Sequence, residues 1–520
     1  MDGGILNSSK TTLIVMATML LLLSVTGGIK VESITTADNV KDFLLKMNEI
    51  NNFNIDIDTF MSDIEDFLPS EDCCIVFPRM TIPAIVERGG EICIIGKVPV
   101  TTTNISFQVV TAYDPIPDSF DLTILDIVTL SNDGLIGCTA EIPAEAPPEL
   151  YNLTMIVKET GDAFTAPKAV CVKERIDGNF TFVHLTDFHI GDPRGLKENP
   201  FETIGWKAAR RCVREINLLN PDFVVITGDL VYGWLFFGKY KRQYSKCWEI
   251  LQEFDVPIYL CPGNHDGYIQ MGEDGFEYWK RYFGPLYYSF DYGDAHFVCV
   301  NSYNWTDKMR RAFLFIPLNW GGCIQEKQLR WIERDLDLHS NAKLKFVLLH
   351  HNPLWNTWYE SLMFKGYKGR EKLLSIIREK NVDAVLAGHI HRDSVIINSG
   401  ILFITTTTAS SSLSAPDAYW GYRPITVENY TIVSYNYMEP KYSLPSYKID
   451  CVEKDNYSKI IINNLETDIN VRITFLVESG NYTAENGEIY MTRTKDGQME
   501  VYVDAHIPAR SQVEVRLLPV

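Results

Sequence analysis

The chain has 520 residues, 46% hydrophobic and 22% charged, which is the composition of globular protein and too long for one compact core. Its 48 basic residues stand against 67 acidic ones, a formal net charge of −19. That balance argues against a nucleic-acid partner, because polyanions are held by basic surface, and a phosphorylated substrate would need a local cation such as a metal ion.

Residues 1–28 read as a signal peptide. Lys10 precedes the apolar run LIVMATMLLLLSV at 13–25, and the small residues Thr26, Gly27 and Gly28 follow. Cleavage is favoured over an uncleaved N-terminal anchor, since the run is short for a spanning helix. No later segment is apolar enough to span a bilayer, so the mature chain is expected to be exported, extracellular or at the cell surface. Seven N-x-S/T sequons follow the leader (Asn104, Asn152, Asn179, Asn304, Asn429, Asn456 and Asn481) and agree with glycosylation after export, although an Asn-rich chain also produces such triplets by chance. The 11 cysteines are compatible with some disulfides, and their odd number leaves at least one unpaired within the chain.

Residues 29–77 carry apolar positions at helical spacing (Val40, Phe43, Leu44, Met47, then Phe60, Ile64, Phe67) and read as short helices and linker. From 78 to 175, short β-branched runs alternate with turn clusters such as SNDG and PAEAPPE, the texture of a β-sandwich. PPELYNLTMIV within it resembles the penultimate-strand region of immunoglobulin-like domains. From 180 to 412, apolar runs of strand length (TFVHLT, DFVVIT, VPIYLC, AHFVCVNS, LKFVLLH, DAVLAG) alternate with helix-like segments, an α/β pattern. Residues 413–520 are strand-rich and read as a small C-terminal β-domain.

Five motifs punctuate the α/β region, most of them just after an apolar run: DFH (Asp187, His189), GDLVY (Gly228, Asp229), GNHD (Asn264, His265, Asp266), HHNP (His350, His351) and GHIH (His389, His391). Side chains just past strand C-termini converge on one edge of an α/β sheet. Carboxylates, imidazoles and an amide oxygen gathered there suit zinc, iron or manganese.

In this order and spacing the motifs resemble the calcineurin-like metallophosphoesterase superfamily, with YYSFDYGDAHFVCVNS and EKQLRWIERDL similar to its extracellular phosphodiesterase and purple acid phosphatase branches. The resemblance covers roughly residues 180 to 410 and implies a four-layer α/β/β/α catalytic domain. It implies that Asp187, His189 and His391 hold one metal, Asn264, His389 and a histidine of HHNP the other, with Asp229 bridging both. It also implies hydrolysis of a small phosphate ester by in-line attack of a metal-bound hydroxide, with His265 stabilising the transition state or protonating the leaving oxygen. Asp266 is either part of this catalytic pair or a partner that orients His265.

Two departures narrow the branch. Protein Ser/Thr phosphatases follow G-D with Asp-Arg-Gly, whereas Leu230, Val231, Tyr232 and Gly233 stand here, which argues against a protein phosphatase. Tyr232 matches the tyrosine ligand of purple acid phosphatases, but those lack the histidine of D-x-H, and His189 is present, so packing beside the site is the expected role of Tyr232. For HHNP, the family's ligand histidine is often followed by one residue and then proline, which selects His351, with His350 as its neighbour. His184, His296, His339 and His506 lack motif context and read as structural or surface residues. Trp234, Trp355, Trp358 and Trp420 either line the cleft or pack. The expected function is an exported binuclear phosphodiesterase. The rivals are an acid-type phosphomonoesterase and a cell-surface binding protein that has kept the fold.

Overall fold

The structure is a computed structural model. It describes residues 37–520 except 68–72, 113–116, 193–203, 234–239, 356–365, 414–417, and positions 101, 103, 132, 314–315, 318, 412 and 440. The signal peptide expected at 1–28 therefore lies outside the described residues, as do Trp234 and Trp358.

Two sheets face each other at the centre. One runs Ile258–Cys261, Phe223–Thr227, Phe180–Leu185, Gly421–Glu428, Thr431–Ser434, its first three strands parallel. The other runs Phe53–Asn54, Tyr288–Tyr292, Ala295–Cys299, Leu344–Leu348, Ala384–Ala387, Ile401–Thr405, Ser394–Asn398, with four adjacent parallel strands from Ala295–Cys299 to Ile401–Thr405. Strand alternation explains the layering, because successive side chains point to opposite faces. Phe182, Phe223, Phe297 and Phe346 point inward and meet ring to ring, Phe182 lying 5.1 Å from Phe223 and 5.3 Å from Phe346. Val183 and Val224 point outward against helices Ile204–Leu219, Tyr240–Leu251 and Gly275–Phe283. On the opposite side, Val298, Val347 and Val385 meet helices Glu326–Leu338 and Arg370–Glu379. The result is helix, sheet, sheet, helix, as the resemblance implied.

Residues expected to form a linker are part of this core. Helices Ala37–Ile50 and Ile57–Phe67 flank strand Phe53–Asn54, which adds to the sheet edge with Phe53 opposite Phe290, and Phe60 and Phe67 are fully buried. The expected boundary at 412 also moves. Gly421–Glu428 pairs along Phe180–Leu185, so the α/β unit continues past it. Pro424, opposite Val183, obscured this strand in the sequence, since proline is rarely tolerated inside a sheet.

Residues 74–173 form a five-stranded and a four-stranded sheet whose inward residues, among them Ile92, Phe107, Cys138 and Leu153, share one buried cluster. Tyr151 of PPELYNLTMIV donates its hydroxyl to the Pro147 carbonyl at 2.7 Å. The C-terminal strands from Ile449 onward form a four-stranded and a three-stranded sheet, and Ile473, Phe475 and Val503 join the cluster around Ile204–Leu219. Ten of the 11 cysteines are buried, and the nine from Cys93 to Cys451 form no disulfide. Their environments are those of small apolar core residues. Among the described residues no helix is long and apolar enough to cross a membrane.

Candidate active site

Each motif follows a parallel strand that ends at the same edge of the two sheets. Phe180–Leu185 leads to Asp187 and His189, Phe223–Thr227 to Asp229, Ile258–Cys261 to Asn264 and His265, Leu344–Leu348 to His350 and His351, and Ala384–Ala387 to His389 and His391. Five of these residues have left-handed backbones, with φ of +59° at Asp187, +47° at His189, +54° at Asp229, +77° at His389 and +53° at His391. That conformation costs a non-glycine residue roughly 1–2 kcal/mol, and it persists where the surroundings over-determine it, commonly at functional sites. The Asp187 amide donates to the Gly228 carbonyl at 3.0 Å and the His189 amide to that of Asp229 at 2.8 Å, which knits the first two loops together. Gly388 before His389 has no alternative, since a Cβ there would fall on the Thr186 hydroxyl.

The carboxylates each anchor one oxygen and present the other. Asp187 Oδ2 accepts from the Thr186 hydroxyl at 2.7 Å and the His389 amide at 3.0 Å, leaving Oδ1 facing His391 Nε2 at 3.1 Å and His189 Nε2 at 3.4 Å. Asp229 Oδ1 accepts from the His265 amide at 2.9 Å, and its Oδ2 faces His350 Nε2 at 3.1 Å and His189 Nε2 at 3.4 Å. Burial pushes both carboxyls up, yet both are held well below the usual range, Asp187 chiefly by His391 and Asp229 chiefly by His350 and His265. Conversely, burial pushes His189 and His350 down, but the two carboxylates lift them to about 10 and about 9.

These residues fit a pair of cations. Donor atoms of Asp187, His189 and His391, of Asp187, Asp229 and His350, and of His350, His351 and His389 lie within 4.8 Å of one another in each set. Buried Asn264 Oδ1 has no hydrogen-bond partner, an arrangement that is costly unless something else binds it. The Asn264 amide nitrogen donates to the Tyr268 hydroxyl at 2.5 Å, which turns the bare oxygen away from that partner.

The calcineurin-like phosphoesterase family model matches residues 180–393. That segment, 180–393, is a calcineurin-like phosphoesterase domain. A probable glycerophosphodiester phosphodiesterase, GpdQ, of Arcobacter nitrofigilis is 26% identical over 251 residues, covering 45% of this chain and 79% of that protein. The serine/threonine-protein phosphatase CPPED1 of Bos taurus is 27% identical over 250 residues, 45% of this chain and 75% of that one. Among solved structures, purple acid phosphatase PPD1 from yellow lupin aligns over 81% of this chain and 72% of that chain, at 15% identity and a TM-score of 0.38.

Within this domain the two histidines of HHNP differ in a way that Pro353 does not convey. The Ser302 hydroxyl accepts from the His350 and His351 amides at 3.2 and 3.0 Å, so its proton goes to His351 Nδ1 at 2.9 Å. His351 Nε2–H then donates to the Trp320 carbonyl at 2.9 Å, and neither ring nitrogen keeps a free lone pair. His350 Nδ1–H donates to the Thr227 carbonyl at 2.7 Å and directs Nε2 at the Asp229 carboxylate alone. The geometry therefore favours His350 over His351 as the ligand, the reverse of the expected order. The physical reason is that the strand ends at Leu348 and strict alternation does not extend to these positions.

Asp266 is fully buried and points away from the cleft. Its Oδ2 accepts from the amides of Asp229 and Gly263, both at 2.8 Å, and its Oδ1 from Val231 at 3.1 Å. It ties two motif loops together and does not reach a reacting group, so the pairing of Asp266 with His265 as catalytic residues is corrected. His265 has its Nδ1 on the Tyr232 carbonyl at 2.5 Å, and burial lowers its pKa to about 4, against the pull of Asp229. Tyr232 is buried, with its ring 5.6 Å from that of His265. Trp355 stands 6.4 Å from His389, while Trp420 donates to the Ser411 carbonyl at 2.6 Å and packs. His184 is buried between the hydroxyls of Thr227 and Thr406. Ser302, Tyr268 and the run TTTTASS at 405–411 escaped the sequence reading. Four consecutive threonines after an apolar strand were the one available signal.

Proposed function

We propose that this chain is an exported binuclear metallophosphoesterase that prefers phosphodiesters. The observation that carries the binuclear reading is the set of imidazole nitrogens aimed at carboxylate oxygens, His391 to Asp187, His350 to Asp229, and His189 between both. In the metal-free chain the facing carboxylates keep a proton on His189 and on His350, and a bound cation would take the place of those protons. Asp187, His189 and His391 would hold one metal, Asn264, His350 and His389 the other, with Asp229 shared. When bound, two such ions supply charge neutralisation for the phosphoryl group and lower the pKa of a water, chemistry to which zinc, iron and manganese are suited.

The chain's own residues do the rest. His189 and His350 place neutral nitrogens once their protons leave, His391 Nε2 faces Asp187, and each ring is held by the carboxylates or by the Thr227 carbonyl. His265, pinned through Nδ1, offers Nε2 at the cleft as the group that exchanges a proton with the leaving oxygen. With its pKa lowered to about 4, the free ring is neutral at pH 7, and the negative charge of a bound phosphoryl group would draw the proton onto it.

Diester preference follows the relative named as a phosphodiesterase, and a phosphomonoesterase is the alternative. Export rests on the apolar leader at 13–25 and the seven sequons. The nine strands of residues 74–173 and the Tyr151–Pro147 bond support reading that unit as an immunoglobulin-like sandwich. The test is hydrolysis of bis-p-nitrophenyl phosphate, p-nitrophenyl phosphate and a phosphoserine peptide, with metal content, for wild type and Asp229→Asn. Faster turnover of the diester, lost with the metals in Asp229→Asn, is expected. Preference for the monoester or the peptide overturns the substrate reading, and wild-type turnover in Asp229→Asn overturns the bridge.

A further inference from the structure

The run Thr405–Thr406–Thr407–Thr408–Ala409–Ser410–Ser411 lies beyond the family segment, and all six hydroxyl residues are essentially inaccessible to solvent. Six buried hydroxyls are costly for a core unless each is paired. Here several are spent on the backbone of the ligand loops. Thr408 donates to the Asp187 carbonyl at 2.8 Å, Ser410 to that of Phe188 at 2.6 Å, and Thr407 to that of His391 at 3.3 Å. The Ala409 amide adds a bond to the Thr186 carbonyl at 2.9 Å. Asp187, His189 and His391 are residues in the left-handed conformation, whose carbonyls lie outside any helix or regular ladder.

A buried ion pair braces the other side of the same loop. Arg423 is fully buried and its Nη2 donates to Asp393 Oδ1 at 2.7 Å, two residues past His391. Its Nε reaches the Thr406 hydroxyl at 3.2 Å, and Nη1 donates to the Tyr435 carbonyl at 2.7 Å. Asp393 also accepts from the Thr407 amide at 3.1 Å and from the Ser443 amide at 3.1 Å. The loop bearing His389 and His391 is thus fastened to residues 405–443, which lie beyond the segment that the family model matches.

We propose that Thr408 and Ser410, together with the Arg423–Asp393 pair, are positioning residues that hold Asp187, His189 and His391 in metal-binding geometry. The hydroxyls satisfy carbonyls that the left-handed turns expose, and without them the turns relax toward ordinary backbone and the donor atoms diverge. This rests on the reading of Asp187 and His391 as ligands, so the test separates the two.

The experiment is calorimetric titration of the full chain, first stripped with EDTA, with Mn2+, alongside thermal unfolding of the stripped protein. Thr408→Val keeps the shape and removes the hydroxyl, and Thr408→Ser restores it. Metal affinity in Thr408→Val is expected to fall roughly tenfold or more, the usual effect of losing a partner behind a ligand, with Thr408→Ser close to wild type. Stripped Thr408→Val should still unfold cooperatively near the wild-type temperature. Wild-type Mn2+ binding in Thr408→Val, with binding lost in Asp187→Asn, overturns the positioning role alone. Wild-type binding in both overturns the ligand reading itself. If Thr408→Val does not fold, Ser410→Ala, which adds no bulk, is read by the same two outcomes.

Discussion

His350 Nε2 lies 3.1 Å from Asp229 Oδ2 while its Nδ1 is tied to the Thr227 carbonyl, so a ring that follows a strand of one sheet grips two residues at one strand end of the other. His351, the next residue, spends both nitrogens on Ser302 and Trp320. His350→Ala is therefore expected to lose one of two metals and at least about a hundredfold in kcat, in line with a stripped metal ligand or catalytic group. His351→Ala should keep the metal stoichiometry. Metal analysis of the two purified variants decides between them, and the opposite pattern would restore the order that Pro353 suggests.

His265 offers a test that does not depend on metal content. If its Nε2 exchanges the proton of the leaving oxygen, His265→Ala should slow a substrate with an alkoxide leaving group by about 10²–10⁴. An aryl ester with a leaving group as acidic as p-nitrophenol should suffer much less. Equal losses on both substrates would assign His265 to binding or charge stabilisation.

Asp266 should report on stability before it reports on catalysis. Its two oxygens collect three backbone amides from the Asp229 and Gly263 loops. Asp266→Asn sets an amide nitrogen against at least one of those donors, with an expected cost of about 2–3 kcal/mol in urea unfolding of the metal-free protein. An unfolding curve superimposable on wild type would return Asp266 to a chemical role.

A second, non-catalytic cluster makes stability depend on pH. His296 is fully buried between Asp335, 3.0 Å from Nε2, and Asp291, 2.6 Å from Nδ1, and its ring stacks on that of His339 at 3.9 Å. Burial alone would lower its pKa, but the two carboxylates raise it to about 9 from 6.5. Below pH 6.5 folded and unfolded chains are both protonated and the full stabilisation is present. It fades as pH rises through 9, where the folded ring too loses its proton, for a total on the order of 3 kcal/mol. Urea unfolding at pH 6.5 and pH 10 should show that loss in wild type and a smaller one in His296→Gln. The same difference in both proteins would assign the pH dependence elsewhere.

What the linear chain settled is the chemistry that is local in sequence. Asp187, His189, Asp229, Asn264, His265, His389 and His391 stand in motifs that follow apolar strands, and parallel strands bring such positions to one edge whatever the loops do. The α/β alternation and the strand-rich flanks were legible for the same reason, since periodicity is written along the chain.

What only the tertiary structure decided depends on partners distant in sequence. HHNP places two like rings side by side, and their difference comes from Ser302, Trp320 and Thr227, none of which the motif contains. Phe53–Asn54 joins the sheet 235 or so positions from its partner strand, and Gly421–Glu428 hides a central strand behind a proline. Asp266 looked like a reacting acid until three amides from separate loops were seen to occupy it. Left-handed backbone at five site residues likewise leaves no trace in their identities, because Asp and His adopt it when neighbouring segments compel them. Residue type declares which atoms can donate or accept; the folded arrangement of distant segments determines which of those atoms remain free to bind a metal.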